Sequence, residues 1–143
     1  MKVESILAGK GHVVHTIGPE AALDDLVKDL AERRVGALVV TDRQNGRIVG
    51  IVSERDVVRA VANHGPGAGR LKVRDAMTAD VRTCVPEDDI NTIMAVMTRY
   101  RLRHLPVMAD GKLVGIVSIG DIVKHRLDEL GEEVTMWREL FTH

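Results

Sequence analysis

Gly115-Ile116-Val117-Ser118-Ile119-Gly120-Asp121 decides how this chain reads, because Gly50-Ile51-Val52-Ser53-Glu54-Arg55-Asp56 has already stated the same pattern. Glycine, two aliphatics, serine and aspartate recur in register 65 residues apart. A repeat at a fixed period fixes the architecture before any single residue is interpreted. In both copies an apolar run rich in Ile and Val ends in Ser and is followed by an apolar helical pattern, which predicts strand, turn and helix. The chemistry then sits where a strand hands over to a helix.

Working outward, Thr16-Ile17-Gly18-Pro19-Glu20 matches Thr83-Cys84-Val85-Pro86-Glu87 at an offset of 67 residues. Leu23, Leu26, Val27 and Leu30 follow at helical spacing, and Ile90, Ile93, Met94 and Met97 repeat that spacing at the same offset. Each set predicts an amphipathic helix with one buried stripe. Val35 to Val40 and Leu102 to Val107 read as strands, closed by Asn45-Gly46 and Asp110-Gly111, dipeptides that favour tight hairpins. The second turn is two residues shorter, which brings the offset from 67 down to 65.

The lead-in segments Val3 to Leu7 and Val73 to Met77 precede polar loops, Ala8 to His15 and Thr78 to Arg82. Gly65-Pro66-Gly67-Ala68-Gly69 has the composition of a flexible linker. Gly131 is expected to end a helix, and Glu132 to Phe141 to begin another, with Val134, Trp137 and Phe141 on one side. The expected organisation is repeat 1 over residues 1–64, a linker over 65–70, repeat 2 over 71–130 and a helical tail over 131–143. The fold class is α+β, two β-α-β-β-α repeats. A small sheet with helices on one side leaves its other face uncovered, so the two are expected to pack sheet to sheet with pseudo-two-fold symmetry. Grooves between the sheets would be the natural ligand sites.

Composition narrows the function. A chain of 143 residues with 45% hydrophobic content suits one shared core, since a half of this size is marginal alone. One cysteine, Cys84, excludes an internal disulfide framework and fits a reducing cytoplasm. Met1 to Lys10 holds no signal-peptide run and no later stretch approaches a membrane span, so a cytoplasmic, membrane-free protein is expected. With 20 basic and 21 acidic residues the chain lacks the positive footprint of a nucleic-acid binder. One Phe, one Trp and one Tyr leave no stacking platform of the usual kind, so a flat ligand would have to be gripped by aliphatics.

Ser53-x-x-Asp56 and Ser118-x-x-Asp121 each read first as a helix N-terminus in capping-box arrangement. The same geometry puts a hydroxyl and free amides at the positive end of a helix, where phosphate is welcome, and puts a carboxylate one turn in. That carboxylate can accept hydrogen bonds from a vicinal diol such as the 2′ and 3′ hydroxyls of a ribose. Capping and binding are compatible.

On these motifs, with Arg103-His104-Leu105-Pro106-Val107 and the Thr-x-x-Pro approaches at Thr16 and Thr83, the chain resembles a tandem pair of cystathionine β-synthase (CBS) domains, the Bateman module. The resemblance covers residues 1 to 130 and is nearest to small stand-alone bacterial CBS pairs. It implies a regulatory module without catalysis that binds an adenosine-containing ligand, AMP, ADP, ATP, NAD or S-adenosylmethionine, in two inter-repeat clefts, and that forms a homodimer. It also implies that one cleft gathers Thr16, Gly36, Ala37, Leu38, Ser118, Ile119 and Asp121. The other would gather Thr83, Arg103, His104, Leu105, Ser53, Arg55 and Asp56. Because Arg55, Arg103 and His104 fall to the Asp56 cleft, that site is expected to prefer the more phosphorylated ligand.

Two other classes compete. A ligand-free structural or interaction module would act through its dimer and the C-terminal stripe, docking an unidentified regulated protein. An enzyme would need a constellation of reactive groups. His12 and His15 have no cysteine or carboxylate companion at ligand spacing and read as surface histidines, so no metal is expected. Cys84 reads as a small buried hydrophobe, His64 and His125 show no partners, and Met94 and Met97 read as core filling.

Overall fold

A computed structural model describes the backbone of residues 1–142 and the side chains of residues 1–132 and 138–140. Packing divides the chain into two compact units that do not follow the two sequence repeats: residues 14–82 form one, and residues 1–13 together with 83–143 form the other. Each repeat's lead-in therefore packs in the unit built around the other repeat.

In the 14–82 unit, β1 (Thr16–Ile17), α2 (Leu23–Arg33), β2 (Ala37–Thr41), β3 (Ile48–Ser53) and α3 (Glu54–His64) follow in order. β1 runs parallel to β2, and β2 pairs antiparallel with β3. Leu26, Val40, Val52 and Val73 centre the core beneath this sheet. Val73 belongs to the short lead-in helix α4 (Val73–Ala76). It is anchored through its amide, which donates to the Ala21 carbonyl at 2.8 Å, while the Leu23 amide donates to Leu71 at 2.9 Å.

The second unit repeats the plan with α5 (Ile90–Tyr100), β4 (His104–Ala109), β5 (Lys112–Ser118) and α6 (Ile119–Thr142), and its lead-in is α1 (Val3–Lys10). Val3 and Leu7 are buried with Ile90, Ile93, Met97, Leu105 and Val117. The counterpart of β1 shrinks to one parallel bridge, Cys84 with Val107. In both units the β register slips just past the glycine of the repeated motif, between Val40 and Thr41 and between Val107 and Met108. That shared irregularity marks the copies as structural as well as sequence repeats.

Four local expectations are corrected. The polar loop expected from Ala8 begins only after Lys10, because α1 continues to a Gly11 cap at φ 102° whose amide donates to the Leu7 carbonyl. Gly65–Arg70 is a 3-10 turn, not a flexible linker: Pro66 sits in its first turn, Ala68 is buried, and a Cβ on Gly69 would collide with the Asp24 carboxylate. Here the glycine permits close approach. Gly131 does not end a helix; α6 runs through it, since an isolated glycine weakens a helix without breaking it. Finally, Asn45-Gly46 lies in a longer loop where the Asp42 carboxylate accepts from Gln44 and Asn45 amides, whereas Asp110-Gly111, with φ 52° and 74°, makes the two-residue hairpin.

Both helical stripes are narrower than expected. Leu23, Leu26 and Leu30 are buried but Val27 is 45% exposed, and Ile90, Ile93 and Met97 are buried but Met94 is 40% exposed. The stripe of Val134, Trp137 and Phe141 lies outside the residues whose side chains are described.

Candidate functional site

The two motif aspartates occupy equivalent places. β3 ends at Ser53 and α3 starts at Glu54, so Asp56 lies in the first turn; β5 ends at Ser118 and α6 starts at Ile119, so Asp121 does too. Neither carboxylate points idly into water. The Ser53 amide and hydroxyl donate to Asp56 Oδ2 at 2.9 and 3.1 Å, and Asp56 is buried. The Ser118 amide donates to Asp121 Oδ2 at 2.9 Å, and the Asp121 amide donates back to Ser118 Oγ at 3.0 Å. Among the described residues these bonds fall on one carboxylate oxygen, Oδ2, in both copies. Oδ1 is the oxygen left to an incoming donor, approached in Asp56 by Arg59 at 3.6 Å.

Each helix mouth is tied to the neighbouring strand in the same way. Glu54 N donates to the Gly36 carbonyl at 3.0 Å and Ile119 N to the Arg103 carbonyl at 2.9 Å. Ala37 is registered against Ser53, and His104 against Ser118. Thr16 is registered against Val39 at the sheet edge. Within one unit the structure thus assembles Thr16, Gly36, Ala37, Leu38, Ser53, Arg55 and Asp56, and within the other Thr83, Arg103, His104, Leu105, Ser118, Ile119 and Asp121. Each expected cleft draws four of its seven residues from one unit and three from the other.

A residue missed in the sequence is Lys10, at the end of α1. Its ammonium donates to Asp121 Oδ2 at 2.6 Å and to the Ile116 carbonyl at 2.8 Å. Burial pushes the Asp121 carboxyl up, but the Lys10 and Ser118 bonds outweigh it and hold the group below its usual range. His104, in the same cluster, is held below the usual imidazole range by burial, by Lys10 and by Arg103, with Asp121 opposing. It is therefore a neutral ring near pH 7. No sequence signal marked Lys10, because the pairing depends on α1 packing against β5, over a hundred residues along the chain.

Among the described residues the unit built on Asp56 has no equivalent pair. Seventy residues after Lys10, at the matching lead-in position, stands Asp80. The remaining candidates behave as bystanders. Burial pushes the Cys84 thiol up to about 12, which suits a buried hydrophobe and not a nucleophile. His12 Nδ1 lies 3.3 Å from the Val114 carbonyl, and His15 contacts Arg33. Among the described residues no cluster of three His, Cys, Asp or Glu could hold a metal ion, and no helix is long and apolar enough to cross a membrane. Arg101 caps α5 in the left-handed region at φ 55° and is exposed.

The comparisons with known proteins agree with this fold. The family model for the CBS domain matches twice, over residues 11–63 and 73–128. An uncharacterised 17.7 kDa protein of Acidianus ambivalens is 36% identical over 89% of this chain and 74% of its own length. The mitochondrial CBS domain-containing protein CBSX3 of Arabidopsis thaliana is 38% identical over 77% of this chain, which spans only 55% of that relative. Among solved structures, a CBS-domain protein of Agrobacterium tumefaciens superposes with a TM-score of 0.84 at 41% identity, covering 87% of this chain and 92% of the other. The CBS domain pair of protein MJ0100, solved with 5′-methylthioadenosine and S-adenosyl-L-methionine, shares the fold with a TM-score of 0.80 at 23% identity, covering 90% and 98%.

Proposed function

The chain belongs to the CBS-domain family as a tandem pair, and from that premise we propose that it is a regulatory module binding an adenosine-containing ligand, without catalysing a reaction on it. The observation that carries the reading is the doubled carboxylate: Asp56 and Asp121 each accept from their own serine on Oδ2, and a ligand would approach Oδ1, which in Asp56 also faces Arg59 at 3.6 Å. A ribose diol suits that oxygen, and the positive end of the helix at each mouth suits phosphate. The ligand bound by the MJ0100 pair belongs to the same chemical class. In this reading each carboxylate is joined by strand residues of the other repeat. Asp121, Ser118 and Ile119 would meet Thr16, Gly36, Ala37 and Leu38, while Asp56, Ser53 and Arg55 would meet Thr83, Arg103, His104 and Leu105. AMP, ADP, ATP and NAD are the nucleotides to test, and the cytoplasm is the expected compartment.

A homodimer completes the proposal. Val58 and Val61 on α3, and Val123, Leu127 and Leu130 on α6, are each at least half exposed, which favours self-association or a regulated partner over isolation. The same residues support the second reading, a ligand-free interaction module. Mass spectrometry of small molecules released from the purified, denatured chain separates the two. An adenosine-containing compound in stoichiometric amount, whose re-addition raises the melting temperature, is the expected result. A chain that releases none and is not stabilised by AMP, ATP, NAD or S-adenosylmethionine contradicts it.

A further inference from the structure

We propose that Lys10 is a specificity-determining residue of the Asp121 site, selecting a ligand with an anionic group next to its ribose; this rests on the ligand-binding reading above. An ammonium has three donors, and in Lys10 the Ile116 carbonyl and Asp121 Oδ2 take two. The side chain is still 34% exposed, and the third donor is the one assigned here to the ligand. Both fixed contacts hold the charge in place, so little side-chain freedom is left to lose when an anion arrives.

The surroundings add to the selection. Over the positions that match in the two repeats, Ile119, Gly120, Asp121 and Lys124 together with Lys10 carry a net positive charge. At the equivalent mouth in the other unit, Glu54, Arg55, Asp56 and Arg59 cancel, and position 80 is an aspartate.

The test uses the full chain carrying Asp56→Ala, so that binding reports on the Asp121 site, titrated calorimetrically with AMP and with uncharged adenosine. Lys10→Gln should weaken AMP by about 10- to 100-fold, the range of a charge-assisted hydrogen bond. Adenosine should change less than about twofold, and Lys10→Arg should keep the AMP preference. Equal losses for AMP and adenosine, or no loss for either, would overturn the role given to Lys10. If Lys10→Gln does not fold, the Arg variant decides alone: an AMP preference lost with the charge retained counts against the proposal. Failure of the Lys10-intact chain to bind either compound would instead overturn the ligand-binding reading itself.

Discussion

Asp121 serves two neighbours from one oxygen, its own helix through Ser118 and α1 through Lys10. Its folded value lies below the ordinary one of 3.8, so it contributes stability at neutral pH and loses that contribution as the pH falls from about 4 through the folded value. Asp121→Asn keeps an acceptor for the Ser118 amide but cannot pair with Lys10. The variant should therefore be less stable than the wild type at pH 7, with the gap closing as the pH is lowered towards 3. Urea unfolding across that range checks it, and a gap that does not narrow would show that the charge is immaterial. The capping role of both aspartates was legible in the sequence because three-residue spacing on a helix is local. Lys10 was not legible, because tertiary packing alone brings it to Asp121.

Elements explain the glycine of the repeated motif. Neither Gly50 nor Gly115 has a positive φ, so turn geometry does not require them. A Cβ at Gly50 would come 2.5 Å from Met77 Sδ and 3.0 Å from the Thr78 carbonyl, and one at Gly115 would come 2.6 Å from Leu7 Cδ2. Met77 follows α4 and Leu7 lies in α1, so each motif glycine is the seat on which a lead-in segment rests. Gly50→Ala should cost about 1–3 kcal/mol by overpacking, since the backbone of Thr78 cannot swing aside. Thermal unfolding measures this, and an unchanged midpoint would mean that the lead-in is free to move. Helix starts at Glu54 and Ile119 and the Asp110-Gly111 hairpin follow from patterns within a few residues, and sequence reading placed them well. The exposure of Val27 and Met94 did not follow, because periodicity names an apolar face but not how much of it a neighbour covers.

At the scale of the whole molecule, the tandem repeat was plain in the sequence, while the exchange of lead-ins between units was not. Repeats are detected along the chain; compact units are decided by where Val3 and Leu7, or Val73, are buried. The proposed function requires the duplicated carboxylates to bind a ribose. Its most direct test is calorimetric titration of AMP and 2′-deoxy-AMP into the wild-type chain and into the Asp56→Asn, Asp121→Asn double variant, whose caps keep their acceptors. Loss of one hydroxyl should weaken wild-type binding about tenfold or more, and the double variant should bind both compounds equally weakly. Equal affinity of the wild type for the two compounds, or undiminished AMP binding by the double variant, would contradict it.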